Sequence, residues 1–199
     1  MLVTTTTLQM TIRPPARAVE LPPGARIDRV ATTTPEFARW LYAVVGGPWR
    51  WTDRLEWTRE QWAEELSRPG AELHVLYADG APAGYVQLAP VVEAGATSVE
   101  ILHFGLLTHA VGHGLGRALL TYAIEAGWTL PERHALPATG RVWLHTCDLD
   151  GPHALANYRA RGFEVVARTT AEEERPSEPL GAWVSAGGPT GQHTRHESS

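Results

Sequence analysis

The sequence predicts an α/β protein of the α+β kind, with six to seven strands sharing the chain with four helices. Three observations carry that expectation. Apolar, strand-like runs recur at residues 4–12, 74–78, 83–88, 98–107, 141–146 and 163–168, with 181–185 as a seventh candidate. Between them lie helical patterns opened by capping residues, at Thr34-Pro35 and at Thr58-x-x-Gln61. Asp79-Gly80, set between two such runs, is the residue pair that a tight hairpin turn requires.

Taken in order, the β-prone run Thr4 to Ile12 is expected to form an opening strand, and Pro14-Pro15 and Pro22-Pro23-Gly24 then impose a loop. A helix from Pro35 ends near Gly46-Gly47, the aromatic stretch 49–57 (WRWTDRLEW) is irregular, and a second helix reaches about Ser67 before Arg68-Pro69-Gly70. The hairpin and the strand 98–107 follow. A helix with Leu115, Leu119, Leu120 and Ala123 on one face leads through a loop to strand 141–146. A helix from about Pro152 to Arg161 is closed by Gly162, a strand runs from Phe163 to Arg168, and an acidic loop precedes GAWVS (181–185), which is read as a last strand. One domain over residues 1–185 is expected, with 186–199 as a disordered tail.

The chain carries 17 basic and 22 acidic residues, a net charge of −5, so it lacks the basic field that nucleic acid or an anionic membrane would select. All the basic residues are arginine and none is lysine, a bias associated with GC-rich bacterial genomes. A single cysteine, Cys147, allows no internal disulfide or thiolate cage, no run is long enough to span a bilayer, and the opening residues lack a signal-peptide pattern. A cytoplasmic location is expected.

The stretch Val111-Gly112-His113-Gly114-Leu115-Gly116-Arg117 lies between a strand and a helix, where glycines let successive N–H groups face a phosphate. A dinucleotide fold would place this motif after the first strand, and here several strands precede it. A second element follows at Ala154, Tyr158, Gly162 and Phe163 (HALANYRARGF). Together the two stretches resemble the GCN5-related N-acetyltransferase superfamily (GNAT) over about residues 4–170. The blocks WxWTDRLxW, EIxxFGLL, WLHTCxLD and ANYxARGF are similar to those of a bacterial subgroup of undefined substrate.

That resemblance implies a mixed, mostly antiparallel six- to seven-stranded sheet flanked by helices, with a central strand pair splayed near Leu106 and Leu144. It implies acetyl-CoA as acyl-donor cosubstrate, its pyrophosphate on residues 111–117, and its pantetheine paired with the backbone of Leu106 and Leu107. The chain departs from the family pattern at Val111, where Gln or Arg is usual, and at Gly151, where Asn is common.

Acetyl transfer to an amine needs a proton acceptor for the nitrogen and a proton donor for the departing thiolate. Glu100, 14 residues before Gly114, matches a general-base glutamate of the family, with salt bridging or substrate orientation as its alternative role. Tyr158 matches the tyrosine near the coenzyme A sulfur that acts as general acid, with aromatic packing as its alternative. His103 and His145 are the alternative proton handlers, since each falls on a strand bordering the cleft. Trp49, Trp51 and Trp57 are candidates for the acceptor side, where Asp148 and Asp150 attract an ammonium group, unless these rings only cover the sheet. His109 with His113, and His145 with Cys147 and Asp148, lack a zinc pattern, so no metal is expected.

The expected function is therefore an acetyl-CoA-dependent N-acetyltransferase acting on a primary amine of a small-molecule or peptidic acceptor. The alternative is a non-catalytic acyl-CoA-binding sensor or assembly protein. A homodimer is compatible with either.

Overall fold

Among the described residues, seven strands form one sheet: β1 (Leu2–Met10), β2 (Ala25–Arg29), β3 (Glu72–Ala78), β4 (Ala81–Glu93), β5 (Ala96–Leu106), β6 (Thr139–Cys147) and β7 (Glu164–Glu172). They lie side by side in the order β2-β3-β4-β5-β6-β1-β7. The structure, a computed structural model, describes residues 1–188. Among those residues, five α-helices accompany the sheet: α1 (Pro35–Gly46), α2 (Arg59–Leu66), α3 (Leu115–Trp128), α4 (Ala154–Ala160) and α5 (Gly181–Ser185). All neighbouring strands are antiparallel except β5 and β6.

Local sequence explains most element ends. Thr34 accepts from the Phe37 N–H ahead of Pro35, whose fixed φ suits a first helical position. Thr58 and Gln61 form the expected capping box at α2, each side chain satisfying the other's backbone N–H. At the β3–β4 turn Asp79 and Gly80 both take positive φ, +50° and +85°, the twist a two-residue hairpin demands.

The alternation of strand side chains divides the interior in two. Leu76, Val86, Leu88, Val99, Ile101, Val142 and Leu144 pack with Leu115, Leu119, Leu120 and Ala123 of α3 on one face. Leu73, Val75 and Tyr85 pack with Leu41, Tyr42, Val45 and Trp62 of α1 and α2 on the other. Each fully buried leucine here contributes about 1.5–3 kcal/mol of transfer free energy.

Three expectations are corrected. The opening strand begins two residues earlier, at Leu2, because β7 pairs with it from Leu2 onward, before β6 joins at Thr5. Residues 25–29, expected as loop, form edge strand β2, held by pairing with β3 and by Arg26 stacked 4.3 Å from the Tyr77 ring centroid. GAWVS is helical, since the backbone of Gly181 and the side chain of Ser185 press against Gly47, where a Cβ would come within 2.6 Å of both. The expected tail beyond residue 188 lies outside the described residues.

The feature that positions the site is where β5 and β6 stop pairing. Their parallel register runs from Thr97↔Thr139 to Glu100↔Trp143 and ends there. β5 continues to Leu106 and β6 to Cys147, so the sheet opens beyond Glu100.

Candidate active site

The opening is a cleft of about 1100 Å³ that runs from the glycine turn after β5 to the aromatic loop after α1. At the turn, Gly112 and Gly114 take φ of +91° and +75°, and a Cβ on either would meet nothing within 4 Å. Gly114 is the N-cap of α3, makes no side-chain cap hydrogen bond and lines the cleft, so the first N–H groups of the helix lie beside it without a side-chain partner. An anion fits such a concavity, where oriented N–H groups and the helix terminus act together. Gly116 and Arg117 also line the cleft. Leu115 points its side chain into the core, His113 is exposed and outside the cleft lining, and Val111 is extended and lines it without a polar group. Their expected contribution reduces to backbone for Val111 and Leu115.

Leu106 and Leu107 differ. The Leu107 N–H donates to the Ala83 carbonyl at 2.9 Å, and the Leu107 carbonyl accepts from Ala110 at 2.9 Å. The Leu107 N–H is therefore already paired within the sheet, and its carbonyl already accepts once. Successive strand residues turn their backbone groups to opposite sides, so those of Leu106 face the gap left by β6.

Tyr158 lies on α4 against the splayed strand, its ring 6.1 Å from Phe104 and 6.2 Å from Phe163. It lines the cleft, and burial, with Asp150 adding to it, pushes its hydroxyl far above the ordinary tyrosine value of 10.0. The hydroxyl stays protonated at neutral pH and is available as a donor.

On the opposite side, Nδ1 of His145 donates to Oε1 of Glu100 at 3.0 Å. His145, not Glu100, forms the cleft wall here. The hydrogen bond to Glu100 raises the His145 pKa above 6.5, and burial opposes it. His103 is held differently, with Arg54 Nη1 donating to its Nε2 at 2.7 Å and its Nδ1 donating to Gln87 at 3.0 Å. Burial, then Arg54 and His145, keep His103 far below 6.5 and neutral. Cys147 also lines the cleft, but burial, then Asp150, raise its thiol and leave it a poor nucleophile.

Of the three tryptophans singled out, Trp49 and Trp51 line the cleft and Trp57 does not. Trp57 packs 5.5 Å from Trp62, with the Arg54 guanidinium 4.6 Å from its ring centroid. Trp49 lies over Gly151, where a Cβ would stand 3.3 Å from the indole, so the glycine at this position makes room for the ring. Trp51 donates to Asp150 at 3.4 Å, and Asp150 also accepts from Thr146 and from the Cys147 N–H. Asp148 accepts instead from the Thr4 N–H at 3.1 Å and is outside the cleft. Sequence reasoning missed Thr5, Thr7, Glu173 and Arg175, which also line the cleft. They come from β1 and from the segment after β7, and no local motif marks them. Among the described residues, no group of three or more His, Cys, Asp or Glu side chains is placed to hold a metal ion, and no helix is long and apolar enough to cross a membrane.

A sheet that parts between two parallel strands, beside a glycine turn that opens a helix, defines the architecture: an α/β fold with one open cleft at the parting. The model of the Acetyltransferase (GNAT) family matches residues 35–163, and the chain belongs to that family. The structure is similar to a GCN5-related N-acetyltransferase from Sphaerobacter thermophilus at 19% identity and a TM-score of 0.57, covering 85% of this chain and 50% of that one. A tandem GNAT protein from the clavulanic acid biosynthesis pathway matches at 20% identity and a TM-score of 0.56, covering 84% of this chain and 51% of that one. An aminoglycoside acetyltransferase from an uncultured soil metagenomic sample matches at 15% identity and a TM-score of 0.55, covering 70% of this chain and 88% of that one. The chain spans about half the length of the first two of these proteins. At these identities the likeness concerns the fold.

Proposed function

We propose that the chain is an acetyl-CoA-dependent N-acetyltransferase that acetylates a primary amine of a small-molecule or peptidic acceptor. The single observation that carries this reading is the joining, in one cleft, of the glycine turn and His145, whose ring is hydrogen-bonded to Glu100 behind it, with Tyr158 bordering the gap between β5 and β6. Acetyl-CoA supplies a thioester carbonyl. The N–H groups around Gly112 and Gly114 bind its phosphates, the backbone of Leu106 aligns the pantetheine, and Tyr158 delivers a proton to the thiolate.

The acceptor end supports an amine with an apolar body. Trp49 and Trp51 give it a flat wall, and Asp150 and Glu173 give it carboxylates beside that wall. The expected setting is a reducing cytoplasm, in which Cys147 stays a free thiol.

The test is amine-dependent release of free thiol from acetyl-CoA, run against a panel of small polyamines, aminoglycosides and lysine peptides, with mass detection of the product. Turnover with any of these supports the reading. Tight acetyl-CoA binding without turnover across the panel would replace it with that of a sensor.

A further inference from the structure

We infer that His145 is the residue that takes the proton from the acceptor nitrogen, and that Glu100 is the positioning residue that holds its ring. This rests on the acetyltransferase reading above and specifies its chemistry. Three observations lead to it, and all are geometric.

The first is position. The His145 side chain is 49% exposed and forms the cleft wall, whereas that of Glu100 is 15% exposed and lies behind it. An acceptor amine in the cleft meets the imidazole before it can meet the carboxylate. The second is tautomer. A carboxylate accepts at Nδ1, so the proton of neutral His145 sits on Nδ1 and the lone pair on Nε2 is left to accept. The third is elimination of the other imidazole. His103 has both ring nitrogens engaged, by Arg54 and by Gln87, and has no site left for a proton from substrate.

The step balances with the residues present. The amine lone pair forms the new C–N bond, the C–S bond breaks with its electron pair leaving on sulfur, and the surplus proton on nitrogen passes to Nε2 of His145. The thiolate takes a proton from the Tyr158 hydroxyl, which is then restored from solvent. Glu100 contributes by fixing the ring and by stabilising the imidazolium that forms.

The groups around His145 set the sign of its response to pH. β5 presents Glu100 and the neutral His103, the loop after β6 presents Asp150, and the loop after α1 presents Arg54. Its partner on β1 is Thr7, and Trp143 on its own strand lies 6.4 Å away, both neutral. The two carboxylates favour the imidazolium and Arg54 opposes it. Because the base form is the active one, turnover rises with pH through the His145 pKa. Removing Glu100 moves that rise to lower pH.

The experiment measures amine-dependent thiol release by the full chain from pH 5 to 9 for wild type, His145→Gln and Glu100→Gln, with circular dichroism and acetyl-CoA affinity as checks on folding. We expect His145→Gln to lower kcat by about 10²-fold or more and to abolish the rising limb, with acetyl-CoA affinity unchanged. Glu100→Gln should retain a rising limb, displaced to lower pH, with a smaller loss of kcat. If Glu100→Gln is the inactive variant while His145→Gln stays within threefold of wild type, the carboxylate is the base and the inference is overturned with the acetyltransferase reading intact. If wild type shows no amine-dependent turnover over the whole panel, the reading itself falls and takes the inference with it.

Discussion

Arg175 donates from Nη1 to the backbone carbonyl of Arg50 at 3.0 Å, and Arg50 in turn donates to the carbonyls of Pro176 and Ser177 at 3.1 and 2.9 Å. Two guanidinium groups thus tie the loop after α1 to the segment after β7, and both residues line the cleft. Arg175 also pairs with Asp53 and Glu173.

Arg175→Ala should remove one half of that tie and leave the bonds from Arg50 in place. The side chain is 16% exposed, so losing its charged hydrogen bonds costs about 1–2 kcal/mol after solvent screening. That corresponds to a fall of about 2–8 °C in Tm. The acceptor KM should rise several-fold while the acetyl-CoA Kd measured by calorimetry stays put; an equal change in both would move Arg175 out of the acceptor wall.

Trp51→Ala and Trp57→Ala are expected to diverge. Trp57 lies outside the cleft and packs on Trp62 and on the cleft-lining Arg54, so its loss should destabilise by about 2–3 kcal/mol and move acceptor KM less than the loss of Trp51 does. Trp51 touches Tyr42 and His103 and holds Asp150, so its loss should lower Tm and raise acceptor KM together. Thermal melts and steady-state kinetics on the two variants decide the matter.

Gly114→Trp should weaken acetyl-CoA binding at least tenfold. The open space around this glycine is where the phosphates would lie, and an indole would occupy it. The positive φ adds about 1–2 kcal/mol of strain, small enough for circular dichroism to remain native. Unchanged affinity in a folded variant would remove the anion site.

Tyr158→Phe keeps the ring between Phe104 and Phe163 and deletes only the hydroxyl. A kcat lower by about 10²-fold with little change in acetyl-CoA Kd is expected. A rate within twofold of wild type would make Tyr158 a packing residue.

Glu72 controls acid stability. Its side chain is 1% exposed and accepts from Arg133 at 2.8 and 2.9 Å and from His74 and His134 at 3.0 Å. Burial alone would raise its pKa, but hydrogen bonds from His74, Arg133 and His134 outweigh burial and hold the carboxyl well below 4.5. A depressed carboxyl contributes stability that is fully present above its unfolded value and is lost as pH falls through the folded one. Tm should therefore hold at neutral pH and fall as pH drops below about 4.5. Glu72→Gln should flatten that decline and cost about 1–3 kcal/mol at pH 7, since it removes the charge partner of Arg133, which is partly exposed and stays bonded to Ala126 and Thr129.

Elements bounded by their own side chains could be read without the structure. Thr34-Pro35, the Thr58–Gln61 box, the Asp79-Gly80 turn and the glycine turn all act within a few residues, through capping or through positive φ. β2 could not be read that way. ARIDR has one large apolar side chain, and it is a strand because β3 offers an edge. GAWVS carries strand-favouring Trp and Val, yet packing against Gly47 makes it a helix.

By itself the sequence determined the fold class and, through its motifs' resemblance, the family, and it marked a glycine turn and a short set of candidate proton-handling residues, because capping residues, periodicity and motifs are local to the chain. Only the tertiary structure decided where each candidate sits and what it touches. Leu106 and Leu107 are neighbours, but Ala83 takes the backbone of one and leaves the other facing the gap. Glu100 and His145 are 45 positions apart, and His103 and Arg54 are 49 apart. Strand register brings the first pair together, and the loop after α1 brings the second. Whether an imidazole is free or fully engaged depends on groups distant in sequence, and that sets which one can carry a proton.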